Sequence, residues 1–113
     1  MPQSVSPALL REMTTNKGRS LYEINKVDPV LLVYLRYFGC SFCREAMNDL
    51  SKIREDLKNK GVRLICVHMD DNARAERFFV KYDLRGVEHI SDPNHEYYRS
   101  FGLVRGSFQQ LFG

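Results

Sequence analysis
No apolar stretch in this chain approaches the ~20 residues that a membrane-crossing helix needs, so no membrane partner is expected. Met1 to Arg11 offers neither a basic start nor the apolar core of a secretory leader, and the expected location is cytoplasmic. Repeats and low-complexity segments are also missing. Charge of one sign is never concentrated. The net charge is only +3, and Lys52-Ile53-Arg54-Glu55-Asp56-Leu57-Lys58 interleaves both signs. That pattern is a solvated helix face and excludes a nucleic-acid patch. Cysteine is scarce, with three in 113 residues. In a reducing cytosol a persistent disulfide is unusual, which favours catalytic or sensing roles for paired cysteines.

Two of the three cysteines stand close together, as Cys40-Ser41-Phe42-Cys43. Before them, Val30 to Tyr37 is a short apolar run rich in strand formers. Gly39 allows a tight turn. From Cys43 onward, Cys43, Ala46, Met47, Leu50, Ile53 and Leu57 recur at helical spacing. The CxxC therefore falls where a strand ends and a helix begins. Free N–H groups at a helix start lower the pKa of a thiol there, and thiolate is the reactive form. One turn also brings two Cα atoms within the reach of a disulfide. The residues describe a dithiol that can open and close.

Zinc is the competing use of a CxxC. It usually needs a second ligand pair. Cys66, His68, His89 and His95 supply none at finger or knuckle spacing, so no metal and no cofactor are expected. A structural disulfide would close only a tiny loop and contribute little.

Length bounds the chain to one domain. Residues 1–19 read as a loose arm with one helical turn around Ala8 to Met13, and residues 20–113 as the folded domain. Strands are expected at Val30 to Tyr37, Val62 to Met69 and Val87 to Ser91. Helices are expected from Cys43 to about Lys60, from Ala73 to Tyr82 and from Pro93 onward. Gly61 stops the first of these, Asp71 or Asn72 caps the second, and Asp92-Pro93 starts the third. A last short helix is expected over Ser107 to Phe112. Apolar strands without alternation, separated by helices, point to a parallel sheet covered on both faces. The dithiol then sits at the carboxyl end of the first strand, where open parallel sheets place their sites. Asp70 and Asp71 read as turn and capping residues, His68 as a packed strand histidine and Cys66 as a buried, inert thiol.

The run Pro29 to Ala46 (PVLLVYLRYFGCSFCREA) resembles thioredoxin-like redox proteins of the peroxiredoxin-like AhpC/TSA group. Within that group it is most similar to the SelL-type branch, some of whose members carry selenocysteine in this motif. Val67-His68-Met69, Ile90-Ser91-Asp92-Pro93 and Tyr98 to Gly106 resemble the group too. The resemblance implies a thioredoxin-like α/β/α fold with a mainly parallel sheet, and Cys40 and Cys43 as the redox pair.

Two departures matter. A true peroxiredoxin carries Pro-x-x-x-Thr-x-x-Cys. With Cys43 as that cysteine, Arg36 stands at the Pro position and Cys40 at the Thr position. This favours dithiol–disulfide exchange over peroxide reduction. Resembling proteins also continue past Gly113 through a C-terminal strand pair, so the chain reads as truncated or shortened, with a bare first-strand edge. Such an edge is a pairing hazard, and a homodimer through it, or a cover from the N-terminal segment, is expected.

The expected activity is thiol–disulfide oxidoreduction, with Cys40 attacking and Cys43 resolving. Expected partners are protein or small-molecule disulfides or peroxides, and a thiol reductant. A thiol peroxidase with Cys43 attacking is the alternative. A non-catalytic binding module whose CxxC is structural or holds zinc is the reading from another class.

Overall fold
The computed structural model describes residues 7–35, 41–94, 96–97 and 108–111. Helices α1 (Pro7–Glu12) and α2 (Leu21–Val27) precede strand β1 (Val30–Tyr34). Then come α3 (Ser41–Asn59), β2 (Arg63–His68), α4 (Asn72–Lys81), β3 (Glu88–Ser91) and β4 (Phe108–Leu111). The sheet order is β3-β2-β1-β4. β1, β2 and β3 are parallel, with Val33 opposite Cys66 and Cys66 opposite His89. This is the expected parallel α/β architecture.

The strands alternate their side chains between two buried layers. Val33, Leu35, Leu64 and Cys66 pack against Met47 and Leu50 of α3 and Ala75 and Phe79 of α4. Both crossover helices cover one face because the chain steps across the sheet in one direction, and such crossovers share a hand. Val30, Leu32, Tyr34, Ile65, Val67 and Ile90 face the other way, against Met13, Leu21 and Ile24. Burial on both faces explains why these strands lack polar alternation.

Helix ends follow their capping chemistry. The Asp71 carboxylate accepts from the Arg74 amide at 2.8 Å and caps α4. Gly61 takes φ +73 after α3, a conformation that side chains disfavour. Asp92 accepts from the Glu96 amide at 2.8 Å, as a cap for the third expected helix. Residues 96–97 are helical, and the remainder of the range expected for that helix, residues 95 and 98–102, lies outside the described residues.

Four expectations need correction. Residues 7–19 are not a loose arm. Met13 is fully buried, and the Thr14–Ser20 bridge closes a small loop around Gly18. The second face of the sheet needed an apolar cover, and Leu9, Leu10 and Met13 help to provide it. Second, Phe108–Leu111 is a strand and not a helix. It lies antiparallel to β1, with Val30 opposite Leu111 and Val33 opposite Phe108. The unpaired N–H and C=O groups of β1 outweigh the weak local preference of a short segment. Third, the strand pair expected to be missing is therefore represented by one strand. The first-strand edge is occupied, which removes the reason for a homodimer through it. Fourth, Ile53, placed on the apolar face of α3, is 41% exposed.

Candidate functional site
α3 follows β1 in the chain and carries Cys43 in its first turn. The Leu35 amide still donates to Val67 at 2.7 Å, so the β1–β2 ladder runs to the end of β1. α3 begins at Ser41. Cys40 lies outside the described residues. Cys43 is the third residue of α3, in its first turn, and its side chain also lies outside what is described. A helix start at this point directs free N–H groups and a partial positive charge to the carboxyl end of the sheet. No acidic residue stands in that first turn to oppose them. Arg44 is exposed, in line with a solvated surface role.

Cys66 is the third thiol, and it is buried in β2. Burial pushes its pKa up to about 12, so it stays a neutral, unreactive thiol. His68, at the end of β2, is fully buried as expected of a packed strand histidine. It is also part of something that the sequence did not reveal. Its Nε2 faces Nδ1 of His89 at 2.9 Å, and His89 Nε2 meets Glu76 Oε1 at 2.7 Å. Both imidazoles are shut off from solvent, whereas the Glu76 side chain is 45% exposed. The Asn16 amide group donates to Glu76 Oε1 at 3.0 Å and accepts from the His89 amide at 3.0 Å. Sequence spacing gives little sign of this cluster, because its members come from the N-terminal segment, β2, α4 and β3. Burial, followed by the charge of His89, lowers the His68 pKa to about 4. Asp70 pairs with Arg74 at 3.4 Å, and Asp71 is spent on its cap. No metal-ligand cluster occurs among the described residues.

A second polar cluster sits on the opposite sheet face, at the amino ends of the strands. Glu88, only 3% exposed, accepts from Thr15 Oγ1 at 2.8 Å and pairs with Arg19 and, at 3.5 Å, Arg63. A groove of about 430 Å³ opens beside it, lined in part by Lys17, Arg54, Lys58 and Arg63. It is remote from the carboxyl ends of the strands.

The parallel strands, the crossover helices and the helix start at the end of β1 define a thioredoxin-like α/β protein. Solved structures share that fold. A peroxiredoxin Q variant from Xanthomonas campestris superposes with a TM-score of 0.75 at 14% identity, over 93% of this chain and 69% of that one. MTB DsbF, in mixed oxidised and reduced forms, superposes at 0.69 with 15% identity, over 97% and 89%. The AhpC/TSA family model matches residues 7–111, and the chain belongs to that family. Peroxiredoxin-like 2C from Homo sapiens is 34% identical over 79 residues, covering 67% of this chain and 34% of its own length. A prostamide/prostaglandin F synthase from Salmo salar is 27% identical over 99 residues, covering 85% and 47%. The chain thus spans about a third to a half of the length of these curated relatives.

Proposed function
We propose that the protein is a cytoplasmic thiol–disulfide oxidoreductase whose working group is the Cys40–Cys43 dithiol. The observation that carries this reading is the start of α3 directly after Cys40, at the carboxyl end of β1. Membership of the AhpC/TSA family and the thioredoxin-like fold support it. Cys66 is buried and unionised, which leaves the CxxC as the reactive pair. Cys40 as thiolate attacks a substrate disulfide, forming a mixed disulfide and releasing one substrate thiol. Cys43 then loses its proton and attacks the Cys40 sulfur, and the second substrate sulfur leaves. A thiol reductant returns the pair to the dithiol.

A redox titration in thiol–disulfide buffers tests this, quenched by alkylation and read by peptide mass. Cys40 and Cys43 should interconvert together at one midpoint while Cys66 stays reduced. Two free thiols in every buffer, or protection only with zinc, would replace this reading with the binding module.

The second reading is a thiol peroxidase with Cys43 attacking peroxide. The relatives named peroxiredoxin-like favour it. Replacement of Cys43 by serine separates the two. The variant should still trap substrate on Cys40 under the first reading, and should lose all peroxide reactivity under the second.

A further inference from the structure
The groove at the amino ends of the strands has the dimensions of a ligand site. Its volume of about 430 Å³ falls within the roughly 300–1,000 Å³ that small-molecule sites occupy. Leu64 and Val87, 8% and 7% exposed, line it from the core side, with half-buried Leu57 beside them. Much of the remaining wall is charged. Among the described residues, four cations against two carboxylates leave the lining at +2.

The two carboxylates are already matched. Asp28 pairs with Arg63 at 3.3 Å, and Glu88 pairs with Arg63 at 3.5 Å and with Arg19. The other three cations, Lys17, Arg54 and Lys58, form no salt bridge among the described residues. Lys17 reaches Glu88 only through its longer-range charge. Its Nζ donates to the Gly86 carbonyl at 3.3 Å, which uses one of three hydrogens. The Arg54 guanidinium donates to the Asp83 carbonyl at 3.1 Å and to the Arg85 carbonyl. One turn, residues 83–86, therefore orients both cations, and neutral carbonyls leave their charge uncancelled. Lys58 is exposed and follows Arg54 by one turn on the same side of α3. A cation in the last turn of a helix is also favoured by the helix dipole, which accounts for Lys58 alone. It does not account for Lys17 and Arg54 beside the same groove.

We propose that this groove binds a small organic phosphate dianion with a planar or apolar body, of the size of a nucleoside monophosphate. A phosphate monoester carries about −1.5 to −2 at neutral pH, which balances the lining. Its oxygens accept charge-assisted hydrogen bonds from Lys17, Lys58 and the remaining N–H groups of Arg54. Its body lies against Leu57, Leu64 and Val87, which inorganic phosphate leaves uncovered. The site is one of binding, with no bond made or broken, and the proposal does not rest on the dithiol reading.

The test titrates the whole chain with adenosine monophosphate, adenosine, inorganic phosphate and succinate, followed by amide NMR and calorimetry. Adenosine monophosphate should bind at one site, shift the amides of Gly61, Gly86 and Val87, and weaken as salt rises. Adenosine, inorganic phosphate and succinate should each bind more weakly. The double variant Lys17→Gln/Lys58→Gln removes two exposed cations that form no salt bridge, so its urea midpoint should not change. It should bind adenosine monophosphate roughly tenfold more weakly, and Lys17→Arg/Lys58→Arg should bind it as wild type does. Undiminished binding by the glutamine variant would overturn the proposal, as would shifts centred away from the groove or no binding by wild type. Equal binding of inorganic phosphate would overturn the role of the apolar wall, and equal binding of succinate the assignment to phosphate.

Discussion

Replacing Arg19 with methionine removes the principal partner of the buried Glu88 carboxylate while keeping an apolar stem of similar length. Glu88 is 3% exposed and sits among Thr15, Arg19 and Arg63. Burial alone would raise its pKa, but hydrogen bonds from Arg19 and Thr15 and the charges of Arg19 and Lys17 outweigh it, so the pKa is lowered. Breaking one side of a fully buried ion pair costs about 3–5 kcal/mol. Two features reduce that here. The Arg19 side chain is 42% exposed, and Arg63 remains within 3.5 Å. The expected loss is therefore about 2 kcal/mol at neutral pH. An unfolding entropy of about 2.1 cal/mol/K per residue over 113 residues converts this to a fall of about 8 °C in Tm. Urea unfolding at neutral pH and below the carboxylate range provides the assay. A depressed carboxyl pKa contributes stability above its ordinary value, and that contribution is lost as pH falls through the folded value. The gap between variant and wild type should therefore shrink in acid. A loss below about 0.5 kcal/mol, or a gap that does not change with pH, would refute the buried-charge reasoning.

Three further outcomes follow from the same geometry. Met13→Ala should cost about 2–5 kcal/mol in urea unfolding, because a fully buried side chain is deleted from the second sheet face. His68, held neutral in the core with a pKa of about 4 against an ordinary 6.5, makes the unfolded chain the better proton acceptor between those values. Stability should thus be complete above about pH 6.5 and fall by about 2–3 kcal/mol toward pH 4, and His68→Gln should flatten that acid limb. Cys66 should resist alkylation in the native protein and react fully in denaturant, as read by peptide mass.

The elements legible from sequence were those whose local pattern agrees with their tertiary use. β1, β2, β3, α3 and α4 each lie within a few residues of the ranges that periodicity and caps imply. Cys66 and His68 were readable as buried because they interrupt an almost wholly apolar strand. β4 was not readable, since Ser107 to Phe112 has no strong period and becomes a strand only against β1. Residues 7–19 misled in the same way. Their apolar residues are too sparse to mark a core segment until the second sheet face is known. The cluster of His68, His89 and Glu76 was hidden for a different reason. His68 and His89 meet because parallel pairing sets Cys66 opposite His89, and Glu76 and Asn16 arrive from separate elements. Pairing register between strands is a long-range quantity that single-sequence patterns do not carry. The Cys40–Cys43 motif is the reverse case, since its spacing is plain in the sequence while the placement of Cys40 lies outside the described residues.

The pairing of β4 with β1 sets an order on how the chain assembles during synthesis. β1 is made early, yet its partner on one side is Phe108–Leu111. A growing chain that already holds β1, β2 and β3 still presents β1 with one row of backbone groups unmatched until those late residues leave the ribosome. At ~5–20 residues per second the stretch from Ser91 to Leu111 takes about 1–4 s, long enough for another nascent strand to dock in the same place. A chaperone that shields β1 over this window should raise the yield of folded protein. The same shield would give nothing once β4 is in place.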